Sequence, residues 1–338
     1  MRCSADKEYY LRCIIFNLAF KRVIFMGKFI AKRLLWLIPV ILGVAVTIFT
    51  IMYFVPGDPA VLILGTDASE VELEAKREEL GLNDPYVVQL MKFLKQTFIE
   101  LDFGTSYKTG QPIAKELMQR LPYTMVIGFS SMILTFVIGI PLGITAAVHQ
   151  NGLADRLCMI IALAGVSIPE FWLALMMVVF FALKLRWLPP SGIDSWQCFI
   201  MPILSGAAGG MAGLARQSRS SMLEVIRSDY ITTARAKGVA ERDVIYKHAL
   251  PNALLPIITV AGMHLAHIFS GSVVVENVFS IPGVGSYMIL AINNRDYPAV
   301  EACVLLLAII FCFVVVLIDI AYGLVDPRIK AMYVGNKR

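Results

Sequence analysis

Six long stretches of this chain run with almost no charge, and polar segments of uneven length separate them. A membrane helix needs about 20 apolar residues to cross about 30 Å of hydrocarbon. Residues 34–55 meet that length without a charged side chain, and five further spans follow at 123–148, 157–183, 199–215, 250–275 and 299–325. The segment 56–122 has a different pattern. Its first half is acidic, with Asp67, Glu70, Glu72, Glu74, Glu78 and Glu79. The pattern predicts an amphipathic helix over 69–80, ended by Gly81. A second helix is predicted from Asp84-Pro85 onward, through Val87, Leu90, Met91 and Leu94 at helical spacing.

Composition narrows the class. Of 338 residues 58% are hydrophobic and only 16% charged, with a mean hydropathy of +0.71. A soluble domain of this length needs far more polar surface, so the expected fold is an all-α polytopic membrane protein in a lipid bilayer. The net charge of +5 sits beside the spans and reads as loop bias, with no nucleic-acid partner expected. Lys28, Lys32 and Arg33 before the first span place the N-terminus in the cytoplasm. Successive crossings then bring Arg156, the basic segment 219–247 and the tail residues Arg328 and Lys330 to the same side. On this topology 56–122 is an extracytoplasmic domain, 123–330 holds the remaining spans, and 331–338 is a cytoplasmic tail. Residues 1–25 read as an extension ahead of a start at Met26, or as a short amphipathic helix. The six cysteines show no C-x-x-C or metal spacing and read as small apolar side chains.

Prolines and glycines interrupt several spans: Pro39, Gly139-Pro141-Gly143, Gly165 with Pro169, and a cluster from Gly206 to Gly213. Kinking and close packing account for most such positions. Ser167-Ile168-Pro169-Glu170-Phe171-Trp172 is the best candidate for a helix broken beside a pathway, since broken backbone survives at membrane depth only inside protein or next to water. Ser167, Pro169 and Glu170 are its polar or helix-breaking members, and Glu170 is expected to turn away from lipid.

The most informative polar segment is Asp229-Tyr230-Ile231-Thr232-Thr233-Ala234-Arg235-Ala236-Lys237-Gly238, closed by Ala249-Leu250-Pro251. Residues 221–237 lack proline and glycine, so one helix is expected through them. Gly238 breaks it, and a second helix starts near Glu241 and leads into the next span. The predicted product is a helix–turn–helix bracket (221–250), a shape that fills a groove on a partner and carries rigid-body motion into the spans. Enzymatic chemistry finds no footing: G-x-x-x-x-G-K-[ST], G-x-S-x-G and H-E-x-x-H are all missing from the sequence. A secondary transporter would call for an inverted repeat or embedded acidic couplers, and neither stands out.

The Thr-Ala-Arg-Ala-Lys-Gly run with Leu250-Pro251 resembles the coupling loop of bacterial ABC importer permeases, in particular the dipeptide/oligopeptide/nickel branch. The likeness extends through Pro56-Gly57-Asp58-Pro59, Leu80-Gly81-Leu82-Asn83-Asp84-Pro85, Asp102-Phe103-Gly104-Thr105-Ser106, Phe279-Ser280-Ile281-Pro282-Gly283-Val284-Gly285, Arg295-Asp296-Tyr297-Pro298 and Asp326-Pro327-Arg328-Ile329, from Met26 to Lys330. Thr232, Thr233 and Ala234 stand where the wider superfamily has Glu-Ala-Ala, a departure common in this branch. The resemblance implies a type I ABC importer permease fold in the bacterial inner membrane. It also implies a second permease subunit, two cytoplasmic ATPases that use ATP and Mg, and an extracytoplasmic binding protein. No cofactor is implied for this chain itself. Asp229, Tyr230, Thr232, Thr233, Ala234, Arg235, Lys237, Gly238, Arg242, Leu250 and Pro251 would form the coupling loop, with Gly238 as hinge. Peptides are the first expected cargo and nickel or a nickel chelate the second. His264, His267 and Met263 are expected on one face of the fifth span, with Glu276 and Asn277 at its outer end, a set somewhat like the nickel-type members. Interhelical hydrogen bonding is the plainer role for such histidines.

Overall fold

The computed structural model describes the backbone of residues 31–325, and their side chains except at 265–267, 269–271 and 321–325. The expectations for 1–25 and 331–338 lie outside the described residues. Among those described there is no strand, only an isolated antiparallel bridge between Thr105 and Pro112. Five helices are long and apolar enough to cross a membrane, and a sixth crossing results if one bent pair counts as a single span. They are α1 (Ala31–Phe54), α5 (Ile113–Val148), the pair α6 (Leu153–Ser167) and α7 (Glu170–Met177, continued by a π turn Val178–Lys184), α8 (Ile200–Ile226), α11 (Leu250–Val278) and α13 (Tyr297–Val325). This matches the six expected spans with altered bounds. The second begins ten residues early, because Pro112 starts a helix that runs through Pro122 and Pro141.

α5 and α8 form the centre and run parallel at a constant offset. The Ser131 hydroxyl donates to the Ile203 carbonyl at 3.1 Å and that of Thr135 to Ala207 at 3.4 Å, each across 72 residues. Small residues allow this approach: a Cβ on Gly143 would strike the Ala215 carbonyl and the Ser218 side chain, and one on Gly139 would crowd Met211 and Leu214. Without a hydrophobic drive between helices in lipid, close backbone contact and hydroxyl bonds supply the cohesion. The Gly206 to Gly213 cluster therefore packs an unbroken helix.

The segment between α1 and α5 forms a helical cap. In α2 (Pro59–Leu64) the Asp58 carboxylate accepts from the Ala60 N–H at 2.9 Å. α3 (Glu70–Leu80) opens on a capping box between Ser69 and Glu72 and closes on Gly81 at φ +68°, as the sequence predicts. α4 (Tyr86–Phe98) follows, its Tyr86 and Phe93 meeting Phe49 of α1 ring against ring. One short apolar helix, α12 (Val284–Asn293), is not anticipated by the span count. At ten residues it falls below membrane length, yet Val284, Tyr287 and Ala291 are buried against α5 and α13. At the opposite end of the bundle Arg33 pairs with Asp319 at 3.0 Å, joining the start of α1 to the end of α13.

Candidate functional site

The bracket departs from the expected single helix over 221–237. α8 ends at Ile226, Ser228 is extended (φ −75°, ψ 151°), and α9 (Asp229–Ala236) starts afresh. The Ser228 hydroxyl donates back to the Val225 carbonyl at 2.6 Å. A serine that competes for backbone bonds in this way ends a helix as surely as a glycine does. Gly238 makes the next turn at φ +77° with open space around its Cβ position, a left-handed conformation that costs an L side chain about 1–2 kcal/mol. α10 (Glu241–Asp243) then flows through a π turn, Val244–Ala249, into α11. Pro251 has no N–H and its ring crowds the carbonyl four residues back, which accounts for the widened turn before it.

Two residues that the sequence pattern passes over hold the bracket. Ile231 is fully buried in a cluster with Met222, Val244, Ile245 and Ile257, so α9 is plugged into the ends of α8 and α11. Glu241 takes both ends of the Arg235 guanidinium, at 2.6 and 3.1 Å, and straps the turn across Gly238. Of the predicted set, Arg235 is thus committed within the chain. Asp229, Tyr230, Thr232, Thr233, Lys237 and Arg242 point outward, Ala234 is buried beside Ile231, and Leu250 packs against the same cluster.

The broken span is where the sequence places it. Ile168, pushed into extended geometry by the proline after it, separates α6 from α7, and the two meet at a bend of 103°. Ser167 and Pro169 are exposed, while Glu170 is half-buried. A Glu170 carboxylate oxygen lies 3.7 Å from the Cβ position of Gly206 on α8, beside Ser131. The start of α6 is anchored by Asp155, which is buried and receives Arg219 of α8 in a two-pronged pair at 2.5 and 2.7 Å.

The histidine set divides. The His264 ring lies against Gly213 of α8, where a Cβ would overlap it, whereas Met263 is 63% exposed on another face. The side chain of His267 lies outside those described. Gly206 and Gly213 are seven residues apart on α8, so Glu170 and His264 sit along one helix about 10 Å apart in height. Asn277 is exposed while its neighbour Glu276 is fully buried. Glu276 receives the Thr124 hydroxyl at 2.6 Å and the Ser286 N–H at 2.9 Å, and Thr124 receives the Val284 N–H at 2.9 Å. Gly283 and Gly285 leave room for that carboxylate, which satisfies the opening turn of α12. Among the described residues no three His, Cys, Asp or Glu side chains gather as a metal site.

A bundle of membrane helices with one broken span and a helical bracket at one end is the architecture of a multi-pass transport protein. Residues 139–331 match the binding-protein-dependent transport system inner membrane component family, and residues 26–128 match that family's N-terminal region. The chain belongs to this family. It is 42% identical over 333 residues, covering 90% of this chain and 100% of the relative, to the dipeptide transport system permease protein DppB of Alkalihalophilus pseudofirmus. It is 39% identical to the glutathione transport system permease protein GsiC of Salmonella paratyphi A, over 90% of this chain and 99% of that one. In fold it is similar to a chain of the MetNI methionine ABC transporter in an inward-facing conformation, at a TM-score of 0.54 and 22% identity over 64% of this chain and 99% of that chain. The type I permease fold implied by the resemblance is therefore borne out, as is a multi-pass inner-membrane component.

Proposed function

We propose that this chain is a pathway-forming permease subunit of an ATP-driven importer of di- and oligopeptides. It would work with a second permease subunit, two cytoplasmic ATPases that consume ATP and Mg, and an extracytoplasmic protein that delivers cargo. The observation that carries the cargo is the likeness, over nine tenths of the chain, to permeases named for a dipeptide and for glutathione, itself a tripeptide. On this proposal the bracket end faces the cytoplasm and the helical cap faces outward.

The bracket's construction supports a coupling role. Its outward face offers Asp229, Tyr230, Thr232, Thr233, Lys237 and Arg242 to a partner, while Ile231 on its inner face is seated among residues of α8 and α11. A push on α9 is then transmitted as motion of packed helices, because a close-packed interior shifts as a body. The Asp155–Arg219 pair passes the same displacement from α8 to α6, and so to the break at Pro169. There Glu170 and the exposed Phe171 and Trp172 would border the pathway.

Uptake decides the cargo. A strain deleted for this gene should lose accumulation of a labelled dipeptide and regain it from a plasmid copy, with labelled nickel uptake unchanged. Loss of nickel uptake with normal dipeptide uptake would instead assign the metal.

A further inference from the structure

A cavity of about 740 Å³ lies between the end of α1, the cap helices α3 and α4, the 102–107 loop and the first turn of α13. It is large enough for a small organic molecule. Nearly every charged group on its wall has a partner. Arg77 binds Asp58 at 2.7 Å, Glu79 holds Lys76 at 2.8 Å, and Lys92 holds Asp84 at 2.5 Å. Asp102 accepts from Gln96 and from the Gly104 N–H. Glu301 is the exception: no described residue donates to its carboxylate. One turn earlier on α13, the Tyr297 hydroxyl is buried against Gly57 and the Arg295 side chain, away from the open space. Rings of Phe49, Phe93 and Tyr107 complete the wall.

We propose that this cavity binds an organic ammonium group, with Glu301 as its counter-ion and the aromatic rings around its apolar body. An unpaired carboxylate in a partly desolvated space calls for a cation, and an aromatic surround favours an organic one. A metal ion is the poorer fit, since no cluster of three ligating side chains exists among the described residues. The proposal is independent of the pathway and of the cargo. The ammonium has two natural sources, a water-soluble amine and the headgroup of phosphatidylethanolamine.

The test uses the full chain, purified with the complex in which it is expressed, in nanodiscs of phosphatidylglycerol, a lipid without an ammonium. Calorimetric titration with phenethylamine should show binding, while phenylethanol, its neutral counterpart, should not bind. E301Q keeps the shape of the side chain and should weaken phenethylamine at least tenfold. In a second set of discs containing phosphatidylethanolamine, native mass spectrometry should show retained aminolipid in the wild type and its loss in E301Q if the headgroup is the occupant. Either source supports the site. Phenethylamine and aminolipid both unbound by the wild type, or bound equally by E301Q, would overturn it.

Discussion

Gly238 and Glu276 show how differently single residues carry their roles. The backbone at Gly238 is left-handed and nothing stands near its missing side chain, so any penalty for substitution is conformational rather than steric. Asn tolerates this conformation and a β-branched residue does not. G238N should therefore keep most transport, whereas G238V should abolish it while the protein still reaches the membrane, as read by dipeptide uptake beside an immunoblot of the membrane fraction. Normal uptake by G238V would remove the hinge role. The glycine was legible in the sequence because it alone punctuates a polar helical run. Glu276 was legible only as an acidic residue near a span end. Its task depends on Thr124 and Ser286, one 152 residues earlier and the other beyond a turn, and no local pattern encodes that meeting. Ile231 was hidden for the opposite reason: one aliphatic side chain among the eight residues of α9 gives too weak a period to show which face turns inward.

Among the elements, α3 follows local rules and was readable to within a residue, since a glycine stop acts over about four positions; α4 was readable at its start, and the six-residue α2 was not foreseen. Nor was the break between α8 and α9, because Ser228 ends one helix and opens another with no proline or glycine to mark it. The cap also carries a dependence on pH. Burial alone would raise the Asp58 carboxyl, but Arg77 and the N–H groups of Ala60 and Val61 together hold it below its ordinary value. Glu72 is lowered by Ser69, and Glu74 by Arg77 and Asn83. Carboxyls depressed in the folded state stabilise it above their unfolded values, near pH 4, and that contribution is lost as pH falls through the lower folded values. Limited proteolysis within 66–84 should accelerate between about pH 4 and pH 2, and R77M should cut faster than wild type at pH 7 and gain less on acidification. Identical profiles for the two proteins would rule out the Arg77 cluster as the acid-sensitive element.

At the scale of the whole molecule, the hydrophobic pattern gave the number of crossings, and the family resemblance gave their arrangement. What neither supplied was the parallel run of α5 beside α8, which rests on the small residues Ser131, Thr135, Gly139 and Gly143 of α5 meeting α8 backbone 72 positions further on. G143V should lower the thermal stability of the solubilised protein, since overpacking of this kind costs about 1–3 kcal/mol. G43A, with nothing within 4 Å of the added carbon, should leave the melting temperature within a degree or two. Equal behaviour of the two would mean that the α5–α8 contact yields.

α5 touches the Glu276 lock through Thr124 at one end and, through Gly143, the stretch of α8 beside Arg219 at the other. Nineteen residues of helix separate these contacts, about 28 Å. A tilt of about 10° over that length displaces one end by about 5 Å relative to the other, roughly one helical turn. The helix thus acts as a lever between the two faces of the membrane: a small tilt about the seat beneath α12 swings the seat beneath the bracket, and a push at the bracket end returns to the Glu276 lock.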